Sequence, residues 1–133
     1  MKQAGWFALN LSRDVHWCKR RIIKASDQAL QGGQLDYKFE WDPAKERANI
    51  HERKVSFRKA ATVFRDHNQL SIYDEEHSEY EDRWITMGVD SSGVLRVVVH
   101  TFERADENLC EIRIISARKA ASREARQYRE GNP

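Results

Sequence analysis

The stretch IRIISARKAASREARQYRE, Ile112 to Glu130, changes character partway along. Its first residues are β-branched, and with Leu109 to Ala117 they read as a strand. Its last residues, Lys119 to Glu130, read as a helix with Ala121, Ala125 and Tyr128 on one face. Further strands precede it. Asp90-Ser-Ser-Gly93 is a hairpin turn between a strand over Asp82 to Gly88 and a strand over Val94 to Glu103. Arg104 to Asn108 reads as a loop, Asp74 to Glu81 as an acidic turn, and Leu70 to Tyr73 as a short strand. Before these lie two helices. Asp42-Pro43 is a helix start, because Asp accepts orphan N–H groups and Pro suits the first turn; that helix runs to about Arg53. Ser56 caps the second, whose Phe57, Ala60, Ala61 and Phe64 form one apolar stripe, and Asp66-His67-Asn68 ends it. Tyr37 to Trp41 alternates as the first strand. The order β-α-α-β-β-β-β-α predicts a compact α+β fold. Hairpin-length connections imply an antiparallel sheet of about four to five strands, with two N-terminal helices and one C-terminal helix on one side.

At 133 residues the chain is long enough for one domain. Residues 37–133 carry these signals, and residues 1–36 read as an N-terminal extension. Within the latter, Arg20 to Leu30 suits a short helix and Gln31-Gly-Gly-Gln34 a flexible break. The net charge is +2, but its distribution is uneven. Asp66 to Asp82 holds seven acids and no Lys or Arg, whereas Ile112 to Arg129 holds six bases and one acid. Such asymmetry marks either a polyanion site or a solvated helix face. Cys18 and Cys110 lie far apart in no metal spacing, and reduced thiols in a cytoplasmic protein are the simpler reading. No apolar run approaches a membrane span, and the first residues lack a signal peptide's h-region and cleavage site.

Alternation along the strands places a basic residue among apolar neighbours on each of three strands: Arg83, Arg96 and Arg113. Arg118 and Lys119 follow at the sheet's end. Arginines on a sheet face can grip a phosphate backbone. The competing reading is solvation, with Arg83 paired to Glu81 and Arg113 to Glu111. His51, His67, His77 and His100 are scattered and read as surface or satisfied histidines. Asp74-Glu-Glu-His77 looks like a metal-binding run, but its spacing suits a turn better, so no metal or cofactor is expected. There is no Gly-rich phosphate loop, nucleophile elbow or HExxH motif.

Several segments in consistent order resemble one family. FEWDPAKERAN (Phe39 to Asn49), VSFRKAATVFRD (Val55 to Asp66), LSIYDEEHSEYEDRWITMG (Leu70 to Gly88), VVVHT (Val97 to Thr101) and IRIISARKAASREARQY (Ile112 to Tyr128) are together similar to the BrnT toxins of type II toxin–antitoxin systems. The resemblance implies a RelE-like fold and a ribosome-independent ribonuclease. It also implies a BrnA-like antitoxin partner, a heterotetramer built on an antitoxin dimer, and operator DNA reached through that antitoxin. Metal-free RNA cleavage needs a base for the 2′-hydroxyl, an acid for the leaving 5′-oxygen and a cation for the phosphate. The motif match carries an active-site role to Arg83 and Arg113, and a supporting phosphate contact to Arg118. Lys45 is an additional cation near the first helix. Lys119, Arg96 and Lys54 join the RNA-binding set. His100 is the histidine chosen as base or acid, because it shares a strand face with Arg96.

The sequence departs from the family at one motif. The family usually has Lys-His-Gly before the VSF segment, and here the match gives Glu52-Arg53-Lys54. The motif's lysine falls on Glu52. Its glycine falls on Lys54, where a left-handed helix exit costs a non-glycine residue on the order of 1 kcal/mol. Either the turn is rebuilt, with Lys54 or Arg53 supplying the charge, or catalysis is weakened. The second outcome would leave a binding partner that acts only as corepressor with its antitoxin.

Overall fold

The computed structural model describes residues 36–130 in full and Ile22 to Lys24 as backbone. The strands are β1 (Ile22–Lys24), β2 (Asp36–Trp41), β3 (Leu70–Tyr73), β4 (Arg83–Val89), β5 (Leu95–Thr101), β6 (Glu103–Arg104) and β7 (Leu109–Lys119). The helices are α1 (Pro43–Arg53), α2 (Phe57–Ala61) and α3 (Ser122–Glu130), with 3-10 turns at Thr62–Arg65 and Glu75–His77. The α+β class agrees with the sequence reading, and so does the element order over residues 36–130 apart from the added short strand β6.

Local chemistry accounts for the helix boundaries. Asp42 Oδ1 accepts from the Ala44 N–H at 2.8 Å, and Ser56 Oγ accepts from the Lys59 N–H at 3.0 Å. Helix α1 ends on Lys54 in the left-handed region, at φ 63°. The turn is therefore not rebuilt around the missing glycine; Lys54 adopts the conformation that a glycine would take without a Cβ penalty. The second helix is shorter than its stripe suggests, because it tightens to 3-10 geometry after Ala61. Helix α3 starts at Ser122 rather than Lys119, because β7 continues through the pair Arg96–Lys119 and the Ala120 N–H still bonds to Leu95 O.

The sheet corrects three expectations. It has seven strands in the order β1-β3-β4-β5-β7-β2, with β6 also paired to β7. It is mixed, not antiparallel: β2 runs parallel to β7, with Phe39 beside Ile112 and Trp41 beside Ile114. The hairpin rule governs strands joined by short turns, whereas β2 reaches β7 through everything between them, and so is free to pair parallel. Ile22 to Lys24, expected within a helix, forms a strand antiparallel to β3, consistent with the β preference of paired isoleucines. The rest of that expected helix, the Gln31–Gln34 break and Cys18 lie outside the described residues.

Helices cover both faces of the sheet, not one. On one face Val98, Ile112, Ile114 and Ala117 pack with Val55 from the link between α1 and α2, Phe57 and Ala60 from α2, and Val63 and Phe64 from the 3-10 turn after it. Tyr37, Phe39 and Trp41 complete that layer. On the other, Leu70, Ile72, Ile85, Met87, Val97, Val99 and Ile115 pack with Tyr128 of α3. A close approach fixes the first layer, since a Cβ on Gly88 would lie 2.8 Å from Val63 Cγ1.

One irregularity positions the arginines. Val99 pairs with Ser116 but His100 pairs with Ile114, so Ile115 is an extra residue in β7. This bulge reverses the alternation beyond it. Ile112 and Ile114 are thereby turned to the face covered by α1 and α2, and Arg113 to the face of Arg83.

Candidate active site

Two of the expected site residues come together. Arg83 is cross-strand partner to Thr101, and the Arg113 N–H donates to Thr101 Oγ1 at 3.2 Å. From these neighbouring positions both guanidiniums reach one carboxylate. Arg83 Nη2 and Nε donate to Glu81 Oε1 at 3.1 and 3.3 Å, and Arg113 Nη2 donates to Glu81 Oε2. The anticipated Arg83–Glu81 pairing is present, and the Arg113 side chain turns to the same glutamate. Burial alone would raise the Glu81 carboxyl, but hydrogen bonds and charge from Arg113 and Arg83 outweigh it and hold the group below the usual carboxylate range. The Arg83 side chain is 12% exposed and that of Arg113 43%, so Arg113 is the more accessible to a ligand.

The acidic turn before β4 folds back over this pair. Asp74 is buried at 2% exposure. Its N–H donates to Arg83 O at 2.9 Å, and Ser78 Oγ accepts from the Arg83 N–H at 3.0 Å. His77 Nδ1 lies 3.0 Å from both Asp74 carboxylate oxygens. Burial and the charge of Arg83 push the His77 imidazole down to about 4, against a smaller upward pull from Glu76. The acidic middle of the sequence is thus folded against the basic end, which accounts for the uneven charge of a nearly neutral chain.

The other expected residues sit elsewhere. His100 is 2% exposed and engaged at both ring nitrogens. Nδ1 lies 2.9 Å from Thr101 O, and Nε2 lies 2.6 Å from Thr86 Oγ1, which is 2.7 Å from Ser71 Oγ. The carbonyl can only accept, so Nδ1 carries the hydrogen and Thr86 donates to Nε2. His100 is a satisfied core residue, pushed down to about 4 by burial, and the expectation of a base or acid there is corrected. Arg96 bonds to buried Asp90 at 2.8 Å, at the opposite end of β5 from Thr101. Arg118 is buried and bound to Glu124, with Nη1–Oε1 at 2.8 Å and Nη2–Oε2 at 2.9 Å; a guanidinium so occupied is a brace for α3 rather than a phosphate contact. Lys45 and Lys54 are exposed on and after α1, the helix over the opposite face, and Lys54 Nζ donates to His51 O. Lys119 is exposed at the end of β7.

Glu81, Asp74 and His77 were absent from the expected site. Their signal was positional: a turn joining Tyr73 to Arg83 has to bring its acids back beside the arginine. Among the described residues, no group of three or more His, Cys, Asp or Glu is disposed to hold a metal ion. Cys110 is a buried free thiol.

The sequence model of one family, described as the ribonuclease toxin BrnT of a type II toxin–antitoxin system, matches residues 41–124. The chain belongs to the BrnT family. The matched span contains Asp74, His77, Glu81, Arg83 and Arg113, so the whole convergent cluster lies within it. Membership makes the chain a ribonuclease toxin by family, and a type II system supplies such a toxin with an antitoxin partner. The crystal structure of the Brucella abortus ribonuclease toxin BrnT is similar at 16% identity and a TM-score of 0.46, covering 65% of this chain and 100% of that one. No curated protein sequence matches. Among the described residues no helix is long and apolar enough to cross a membrane.

Proposed function

We propose that residues 37–133 form a RelE-like endoribonuclease toxin that cuts RNA in the cytoplasm without the ribosome or a metal ion, and that residues 1–36 are an extension to it. The observation that carries this reading is the convergence of Arg83 and Arg113 on Glu81. Two guanidiniums held at carboxylate spacing offer planar forks to an anion with several oxygens. A scissile phosphate entering there displaces Glu81 in part, and its developing charge is met by two preorganised cations. Glu52, standing where the family's lysine falls, is exposed on α1 over the opposite face. The change is therefore outside the arginine pair, which favours the enzyme over a chain that acts only as corepressor.

The partner in this reading is a BrnA-like antitoxin, two copies of each chain form the assembly, and operator DNA is bound through the antitoxin. A segment that covers Arg113 would shut the site.

The test is cleavage of an RNA with single-stranded and paired regions by the purified chain in EDTA, beside Arg113→Ala. The expected outcome is cutting by the wild type that falls by about 10²–10³ in the variant, the size of losing one preorganised charge contact. Cutting that EDTA abolishes points to a metal mechanism, and RNA binding without cutting points to the corepressor.

A further inference from the structure

The acidic turn holds an imidazole–carboxylate pair that charge stabilisation by the arginines leaves unused. Asp74 is fixed at its backbone, where its N–H donates to Arg83 O and its carbonyl accepts from the His77 N–H and Ser78 Oγ. Its side chain is 3% exposed and that of His77 14%. A carboxylate only accepts, so His77 Nδ1 carries the hydrogen and Nε2 carries the lone pair of the neutral ring. Among the described residues, Asp74 and Glu76 on its own turn and Arg83 from β4 are charged groups near this ring. Arg83 is therefore shared: its guanidinium bonds to Glu81, and its charge is felt by His77.

We propose that His77 is the general base of RNA cleavage and that Asp74 is the positioning residue that holds it. The inference rests on the ribonuclease reading above. In the step, Nε2 takes the proton of the ribose 2′-hydroxyl and the 2′-oxygen forms a bond to phosphorus. The bond from phosphorus to the 5′-oxygen breaks, and that oxygen leaves with a proton from water. The hydroxide so formed takes back the proton held by the imidazolium. The products are a 2′,3′-cyclic phosphate and a 5′-hydroxyl, with no change of oxidation state. Arg83 and Arg113 meet the phosphate charge, and the Asp74 carboxylate stabilises the imidazolium while it lasts. At neutral pH the ring is in the neutral form that a base requires.

The experiment is single-turnover cleavage of an end-labelled RNA oligonucleotide in EDTA by the full chain, with RNA affinity and melting temperature measured on every variant. His77→Gln should cleave about 10²–10⁴-fold more slowly with RNA affinity unchanged. Imidazole added to His77→Ala should restore cutting, and should not do so for Arg113→Ala. Asp74→Asn should lower the rate and move the acidic limb of its pH profile, which a purely structural tie would not do. Wild-type rates in His77→Gln overturn the assignment while leaving the ribonuclease intact. A slow, folded, RNA-binding His77→Ala that imidazole does not rescue also overturns it, in favour of a pin for the turn. A wild type that binds RNA without cutting removes the ribonuclease reading and the base with it.

Discussion

Glu81 occupies both guanidiniums at once, so an RNA phosphate has to compete with it. The carboxylate is one-third exposed, where an ion pair contributes well under 1 kcal/mol after screening. Glu81→Gln removes that competition. RNA affinity at low salt should rise by about two- to fivefold, and a titration across a salt series should show the gain shrinking as salt is added. Unchanged affinity at low salt would mean that phosphate does not meet this pair. Lys54 carries a separate burden, a left-handed backbone at φ 63° on a residue with a Cβ. Lys54→Gly should raise the urea midpoint, a gain of up to about 1 kcal/mol once the freer unfolded chain is counted. The motif comparison located this turn from sequence, because a glycine position displaced onto lysine still needs φ above zero. Proximity in sequence also paired Glu81 with Arg83, but it could not bring Arg113 to the same glutamate in place of Glu111, because that contact depends on the path of the turn and not on spacing along the chain.

Helix α3 is tied to the sheet by charge as well as by the apolar contact of Tyr128. Glu124 is fully buried, takes both Nη atoms of Arg118, and accepts from the Ala121 N–H at 2.9 Å. That last bond is the returning half of a capping box, on a helix whose first flanking residue is an alanine. Tyr128 Oη donates to Asp66 Oδ2, the same oxygen that accepts from the Val89 N–H. Glu124→Ala takes the facing carboxylate from a buried guanidinium and should cost about 3–5 kcal/mol in urea unfolding. Removing Arg118 as well should cost less than the sum of the single changes, since the two side chains share one interaction. Equal additive losses would show the pair to be incidental. Ala121, Ala125 and Tyr128 gave this helix its legible face, but Glu124 reads from sequence as the lone acid of a basic, solvated segment. Its burial follows from Arg118 reaching it at the end of β7. The parallel seat of β2 was illegible for a related reason: Tyr37 to Trp41 alternates in the same way whichever direction its neighbour runs, and direction is set by how α1 and the rest return the chain to β7.

Taken as one body, the chain holds two histidines and one aspartate below their ordinary titration ranges, and part of its stability with pH follows from those three. His77 and His100 are both held at about 4, below the ordinary histidine value of 6.5. The unfolded chain therefore binds protons more readily between pH 6.5 and 4. Their contribution is complete above 6.5 and is lost as pH falls through that window. For fully buried His100 the loss is on the order of 3 kcal/mol by linkage. Burial alone would raise Asp90, but Arg96, Ser92 and Val94 hold it at about 2. Its contribution is present above pH 3.8 and is lost as pH falls toward 2. Urea midpoints measured from pH 7.5 downward should therefore fall in two stages, the first across 6.5 to 4 and the second below 3.8. The upper stage should shrink in His100→Gln, which keeps a polar side chain beside Thr86 but does not titrate there. A flat profile from 6.5 to 4 would mean that His100 stays solvated enough to hold its proton, contrary to the chain of bonds from Ser71 through Thr86 to its ring.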